Sequence, residues 1–117
     1  MGYHVPTKAE INVLANFVGG FAIAGGEMKT TGTIQTMNGI WETPNTGATN
    51  NSGFSGEPSF RVTTSGVNSI SNMDATWWSS DLGGSFKDIF ELKHNSAVLF
   101  TGGSPKEYGY PIRCVKD

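Results

Sequence analysis

Residues 5–20 read VPTKAEINVLANFVGG. Thr7 and Glu10 have the spacing of a capping box, in which the hydroxyl accepts from the backbone N–H three residues on and the Glu carboxylate reaches back to the cap. Pro6 stops a helix from starting earlier. Ile11, Leu14, Ala15 and Val18 follow at helical spacing as one apolar face, and Gly19-Gly20 supplies a left-handed stop. The spacing predicts a helix over Lys8–Val18. A second, shorter helix is expected from Phe21 to Lys29, weakened by Gly25-Gly26.

Beyond it the pattern changes. Residues 30–56, TTGTIQTMNGIWETPNTGATNNSGFSG, are dominated by turn formers, and a loop this long in a small domain must be functional or tied down. Its apolar residues Ile34, Met37, Ile40, Trp41 and Phe54 are the expected clamps. SFRVTT, ATWWSS, DIFELKH, AVLFTG and YPIRCV then read as short strands. In DIFELKH, Phe90, Leu92 and His94 share one face and Ile89, Glu91 and Lys93 the other, with His94-Asn95-Ser96 as a hairpin tip. This order predicts an α+β fold, with two short N-terminal helices packed on a small antiparallel sheet beside a long loop region.

With 117 residues the chain, residues 1–117, reads as one domain that buries roughly two thirds of its unfolded surface. Apolar residues are 37%, charged residues 15% and glycines 16 in number, a composition suited to strands and turns. The net charge is 8 − 10 = −2 with no basic run, which argues against nucleic acid or an anionic membrane surface as partner. No apolar run reaches the 18 or so residues of a membrane span, and residues 1–20 lack the marks of a secretory signal, so neither membrane insertion nor an export address is expected. Cys114 is the sole cysteine. It cannot form an internal disulfide, and with His4 and His94 it supplies too few ligands for zinc. Because a closing strand YPIRCV must pair, Cys114 is expected to face the core or the sheet as a free buried thiol.

Four blocks, GYHVPTKAE at 2–10, Trp41 followed by PNTGATNNSGF at 44–54, WWSS at 77–80 and GYPIRCVKD at 109–117, are together a specific signal. In their order and spacing the chain resembles the Fibrobacter succinogenes major paralogous domain family over nearly its whole length. The resemblance implies a C-type-lectin-like fold, related in architecture to formylglycine-generating-enzyme-type domains and to variable proteins diversified by retroelements in bacteria and phages. It assigns Trp41, Gly53, Phe54, Trp77, Trp78, Ser79, Ser80, Gly109, Arg113 and Cys114 to the scaffold. In the family a cysteine commonly stands shortly upstream of the GYHVP-like block, a position this sequence does not include. The resemblance therefore implies either a domain lacking the N-terminal part of the full family domain, with Cys114 left unpaired, or a naturally short member.

Catalysis finds little support in the residues. There is no nucleophile elbow, phosphate-cradling glycine loop or HExxH pair. The formylglycine-generating relatives use paired thiols, which one cysteine cannot reproduce, so no catalytic residues and no cofactor are expected. His4 reads as a helix-end or core-edge residue and His94 as a solvated hairpin tip. Glu42–Asn45, ETPN, resembles the Glu-Pro-Asn calcium motif of animal C-type lectins, and Asp81 follows the Trp pair as an acid does there. Thr43 interrupts the motif and calcium needs six to eight converging oxygens, so a turn is the preferred reading and no metal is expected. Trp77 and Trp78 should point to opposite faces, one into the core and one near the surface or under the long loop. A sugar-stacking platform is the functional alternative; core plus loop clamp is favoured.

What remains is SDLGGSFKDIFELKHNSAVLFTGGSPKEY at 80–108, the region that lectin-fold display relatives turn toward their ligands. Phe86, Lys87, Asp88, Glu91, Lys93, His94, Ser104, Lys106 and Tyr108 are the candidate ligand-binding residues, since aromatics beside adaptable polar groups suit recognition. An ordinary solvated sheet face explains the charges but not exposed Phe86 and Tyr108. The expected function is a non-enzymatic binding module for a protein or glycan on a cell surface, carried by a bacterial surface protein or a phage tail or fibre and so extracellular. The alternative is a structural module that joins copies of itself, with Phe86, Phe100 and Tyr108 buried in a homo-oligomer.

Overall fold

The capping box forms as spaced. In the structure, a computed structural model that describes residues 2–66 and 68–117, Thr7 Oγ1 accepts from the Glu10 N–H at 3.2 Å and Glu10 Oε2 accepts from the Thr7 N–H at 2.8 Å. Helix α1 spans Lys8–Phe17, and the Asp81 carboxylate accepts the Lys8 N–H at its first turn. Gly19 and Gly20, at φ 114° and 104°, close it, with the Gly20 N–H bonded to the Ala15 carbonyl. Helix α2 spans Phe21–Met28, and the two helices meet at 87°. Neither is long and apolar enough to cross a membrane alone.

Gly25-Gly26, which weaken α2 by propensity, are required by packing. A Cβ on Gly25 would lie 2.2 Å from the Val98 carbonyl oxygen, and one on Gly26 2.3 Å from that of Gly47. The helix is thus seated directly on two backbones, and Gly26 N–H donates to Ala97 O at 3.0 Å.

Among the described residues, seven strands form three small antiparallel sheets. Strands β4 (Asp74–Gly83), β5 (Phe86–Lys93) and β6 (Phe100–Pro105) make the central one in that order. Strands β2 (Phe60–Val62) and β3 (Asn68–Ile70) form a hairpin at its side, and β1 (Tyr3–His4) pairs with β7 (Val115–Lys116), bringing the two ends together. The arrangement is α+β: two N-terminal helices and small antiparallel sheets. Trp77 pairs with Phe90 and Ala75 with Leu92, which turns all four toward the helices. There they join Ile11, Ala15, Ala24, Met28, Trp41 and Leu99 in one core. Trp77 and Phe90 stack at 5.3 Å, and the Phe54 ring meets Trp77 edge-on at 5.4 Å, geometry worth about 1 kcal/mol per pair beyond burial.

Several expectations need correction. The second helix stops at Met28, because Lys29 turns its backbone to the extended region. Residues 97–99 precede β6 rather than belonging to it, since the Leu99 N–H is spent on the Phe21 carbonyl. The closing strand shrinks from YPIRCV to Val115–Lys116: Tyr110–Cys114 run irregularly, and the Pro111 carbonyl accepts from the Trp78 N–H. Cys114 is consequently exposed, because the strand that would have turned it inward never forms. In the long loop only Trp41 and Phe54 act as apolar clamps. Ile34 and Ile40 are exposed and Met37 is 93% exposed, on a turn whose polar groups bond among themselves.

Candidate functional site

Alternation from the core pairs fixes the opposite face of the central sheet. It gathers Thr76 and Trp78 from β4, Lys87, Ile89, Glu91 and Lys93 from β5, and Phe100, Gly102 and Ser104 from β6. No loop in the sequence order announces this grouping; the strand register creates it.

One end of the face is an aromatic band. Trp78 meets Tyr110 edge-on at 4.9 Å, and Tyr110 meets Tyr108 at 6.1 Å. The Tyr110 hydroxyl and the buried Ser104 Oγ share a 2.9 Å hydrogen bond that fixes the ring. Lys87 Nζ lies over the Trp78 ring, 5.8 Å from its centroid, and forms no ion pair among the described residues. An ammonium held over an indole retains unspent donors. The other end carries Glu91, which accepts from Thr76 Oγ1 at 2.8 Å and faces Lys93 at 3.7 Å, while Lys93 Nζ sits 4.6 Å above the Phe100 ring. Between the two ends, Gly102 leaves open space where a side chain would stand.

Of the nine candidate residues, Lys87, Glu91, Lys93 and Ser104 lie on this face, and Tyr108 joins it through Tyr110. Ser104 is buried, so its contribution is to hold Tyr110 in place. Phe86, 53% exposed, and Asp88 have the other parity; Asp88 lines a small gap with Lys8 and Ser79. Lys106 is exposed in the turn after β6. His94 sits at the far turn and donates from Nδ1 to the Thr43 carbonyl at 2.8 Å, so it ties down the long loop instead of standing free in water. Phe86, Asp88, Lys106 and His94 are therefore peripheral to the face. Nothing in the sequence marks Tyr110 or its contact with Trp78, which depends on the return of the C-terminal segment along β4.

The scaffold residues occupy distinct places. Trp41 is fully buried and donates from Nε1 to the Gly56 carbonyl at 3.1 Å. Both tryptophans of the pair are buried, Trp77 in the core and Trp78 under Tyr110 and Lys87 instead of the long loop. Ser79 Oγ accepts from the Asp81 N–H, Ser80 donates its N–H to Pro6, and Gly109 exchanges two backbone bonds with Val62. Gly53 has φ 73° in the turn before Phe54. Arg113 lies over Phe54 at 4.5 Å and donates to its carbonyl.

The ETPN side chains do not converge. Glu42 accepts from Gln35, while buried Asn45 donates inward to the Thr30 and Gly32 carbonyls at 3.0 and 2.8 Å. Among the described residues no cluster of His, Cys, Asp and Glu is placed to hold a metal.

A family model, the Fibrobacter succinogenes major domain, matches residues 1–116. No curated protein and no solved structure matches the chain.

Proposed function

The chain belongs to the Fibrobacter succinogenes major domain family, and from that premise we propose that it is a non-enzymatic binding module with a C-type-lectin-like fold, presenting the outer face of β4–β5–β6 to a protein or glycan on a cell surface. One observation carries this reading: Lys87, without a carboxylate partner among the described residues, is held over Trp78 beside Tyr110 and Tyr108. Rigid aromatics with an uncommitted cation give contact area and a directed charge at low ordering cost. The module works outside the cell, on a bacterial surface protein or a phage tail or fibre, and needs no cofactor.

The test is a glycan array together with bacterial cell panels, probed with the wild-type chain and with Lys87→Glu. Specific binding that the substitution lowers at least tenfold supports the reading; binding that survives it places the site elsewhere. Diversification by a retroelement adds a genetic arm, in which sibling genes differ at the codons of the outer face.

A second reading, a structural module that joins copies of the chain, draws on Phe17, 85% exposed, and Val13, both on α1. A sedimentation experiment that finds only monomer removes it.

A further inference from the structure

A second concavity lies away from the sheet face. Between α1 and the C-terminal segment there is a cleft of about 400 Å³, within the range of small-molecule sites. Its walls are apolar, with Ile11, Leu14, Phe54 and Phe90 among them, and the exposed residues Arg113, Cys114 and Lys116 also line it. A shallower depression lined by Leu14, Val13 and Phe17 continues it along α1.

The charges at the cleft are unequally committed. Both Glu10 oxygens are spent, one on His4 Nε2 at 2.7 Å and the other on the Thr7 N–H. Arg113 gives one N–H to the Phe54 carbonyl, and neither it nor Lys116 forms an ion pair among the described residues. The lining therefore offers an apolar body, two cations without an anionic partner among the described residues and no uncommitted anion.

We propose that this cleft binds a small amphipathic monoanion of the fatty-acid type, its chain on Ile11, Leu14 and Phe90 and its head at Arg113 and Lys116. Most of the affinity comes from the buried chain. The head discriminates modestly, because both cations are exposed and screened.

The experiment titrates the chain with octanoate, octanol and octylammonium at low salt by calorimetry, while the reaction of Cys114 with a thiol reagent is timed. Octanoate is expected to bind one to one, tighter than octanol by about fivefold and tighter still than octylammonium. It should also slow the Cys114 reaction. Lys116→Gln should reduce the advantage of octanoate over octanol, and Leu14→Trp should fill the cleft and weaken all three ligands. Arg113→Gln is the less clean variant, since Arg113 also holds Phe54. Equal affinity for the three head groups would overturn the assignment of the anion. Absence of octanoate binding, or binding that leaves the Cys114 rate unchanged, would overturn the site.

Discussion

Lys29 donates from Nζ to the Thr46 carbonyl at 2.8 Å, deep inside the protein and without a carboxylate partner among the described residues. The same ammonium reaches the Lys93 and Ser96 carbonyls at 2.8 and 3.0 Å, with the Trp41 ring 5.6 Å away. One cation thus ties the end of α2 to the long loop and to the turn between β5 and β6. Polar bonds from Lys29 and Asn45 supply the anchoring that the exposed Ile34, Met37 and Ile40 do not.

Replacing Lys29 by Met should therefore cost more than the loss of one ordinary hydrogen bond, since three carbonyls lose their donor in a buried site. We expect about 3 kcal/mol, read as a fall in Tm of roughly 10 °C. A loss under 1 kcal/mol in chemical denaturation would contradict the staple.

The pH dependence of the same group has a defined sign. Burial pushes Lys29 from 10.5 down to about 8. Between those values the unfolded chain binds more protons than the folded one, so this group makes stability rise as pH increases from about 8 toward 10.5. Denaturant midpoints across that window, compared between wild type and Lys29→Met, should show a positive slope only in the wild type.

His4 predicts the opposite trend near neutrality. Its hydrogen bonds to Asp117 first and Glu10 second raise its pKa above 6.5, so its contribution is fully present below 6.5 and lost as pH rises through the higher folded value. Glu10, held low first by the Thr7 N–H and then by His4, contributes above 4.5 and loses that contribution as pH falls through its depressed value. Protection of the His4 and Val115 amides, corrected for the intrinsic pH dependence of exchange, should therefore be greatest between the two titrations and fall toward alkaline pH. His4→Gln should flatten the alkaline arm.

Gly25→Ala tests how α2 is seated. The added methyl would meet the Val98 carbonyl at 2.2 Å, so backbone must move, and we expect a loss of about 2 kcal/mol although alanine is the better helix former. A neutral or stabilising result in thermal denaturation would mean that α2 does not lie against that turn.

The local features were readable in the sequence. Thr7, Glu10 and Gly19-Gly20 bound α1 because capping is decided by residues a few positions apart, and alternation puts Phe90 and Leu92 on one face of β5, which packing makes the core face. What depended on chain return was not readable. Residues Tyr110–Cys114 have strand-like composition, but they pass where only single backbone bonds are available, so Cys114 ends up in solvent. The outer face was half legible: Lys87, Glu91, Lys93, Ser104 and Tyr108 fall on or beside it. Phe86 and Asp88 fall on the other side, since adjacent residues of one strand cannot share a face. The glycines of α2 misled by propensity, because their reason lies in Val98 and Gly47, far along the chain.

The most direct test of the central claim is a binding curve for the receptor or glycan selected by the wild-type chain, measured with two variants in parallel. Lys87→Glu with Tyr108→Ser alters the outer face, and Val13→Ser with Phe17→Ser alters the exposed side of α1. The account predicts a loss of at least tenfold for the first pair and wild-type affinity for the second. The reverse pattern would contradict it and move recognition to the helix.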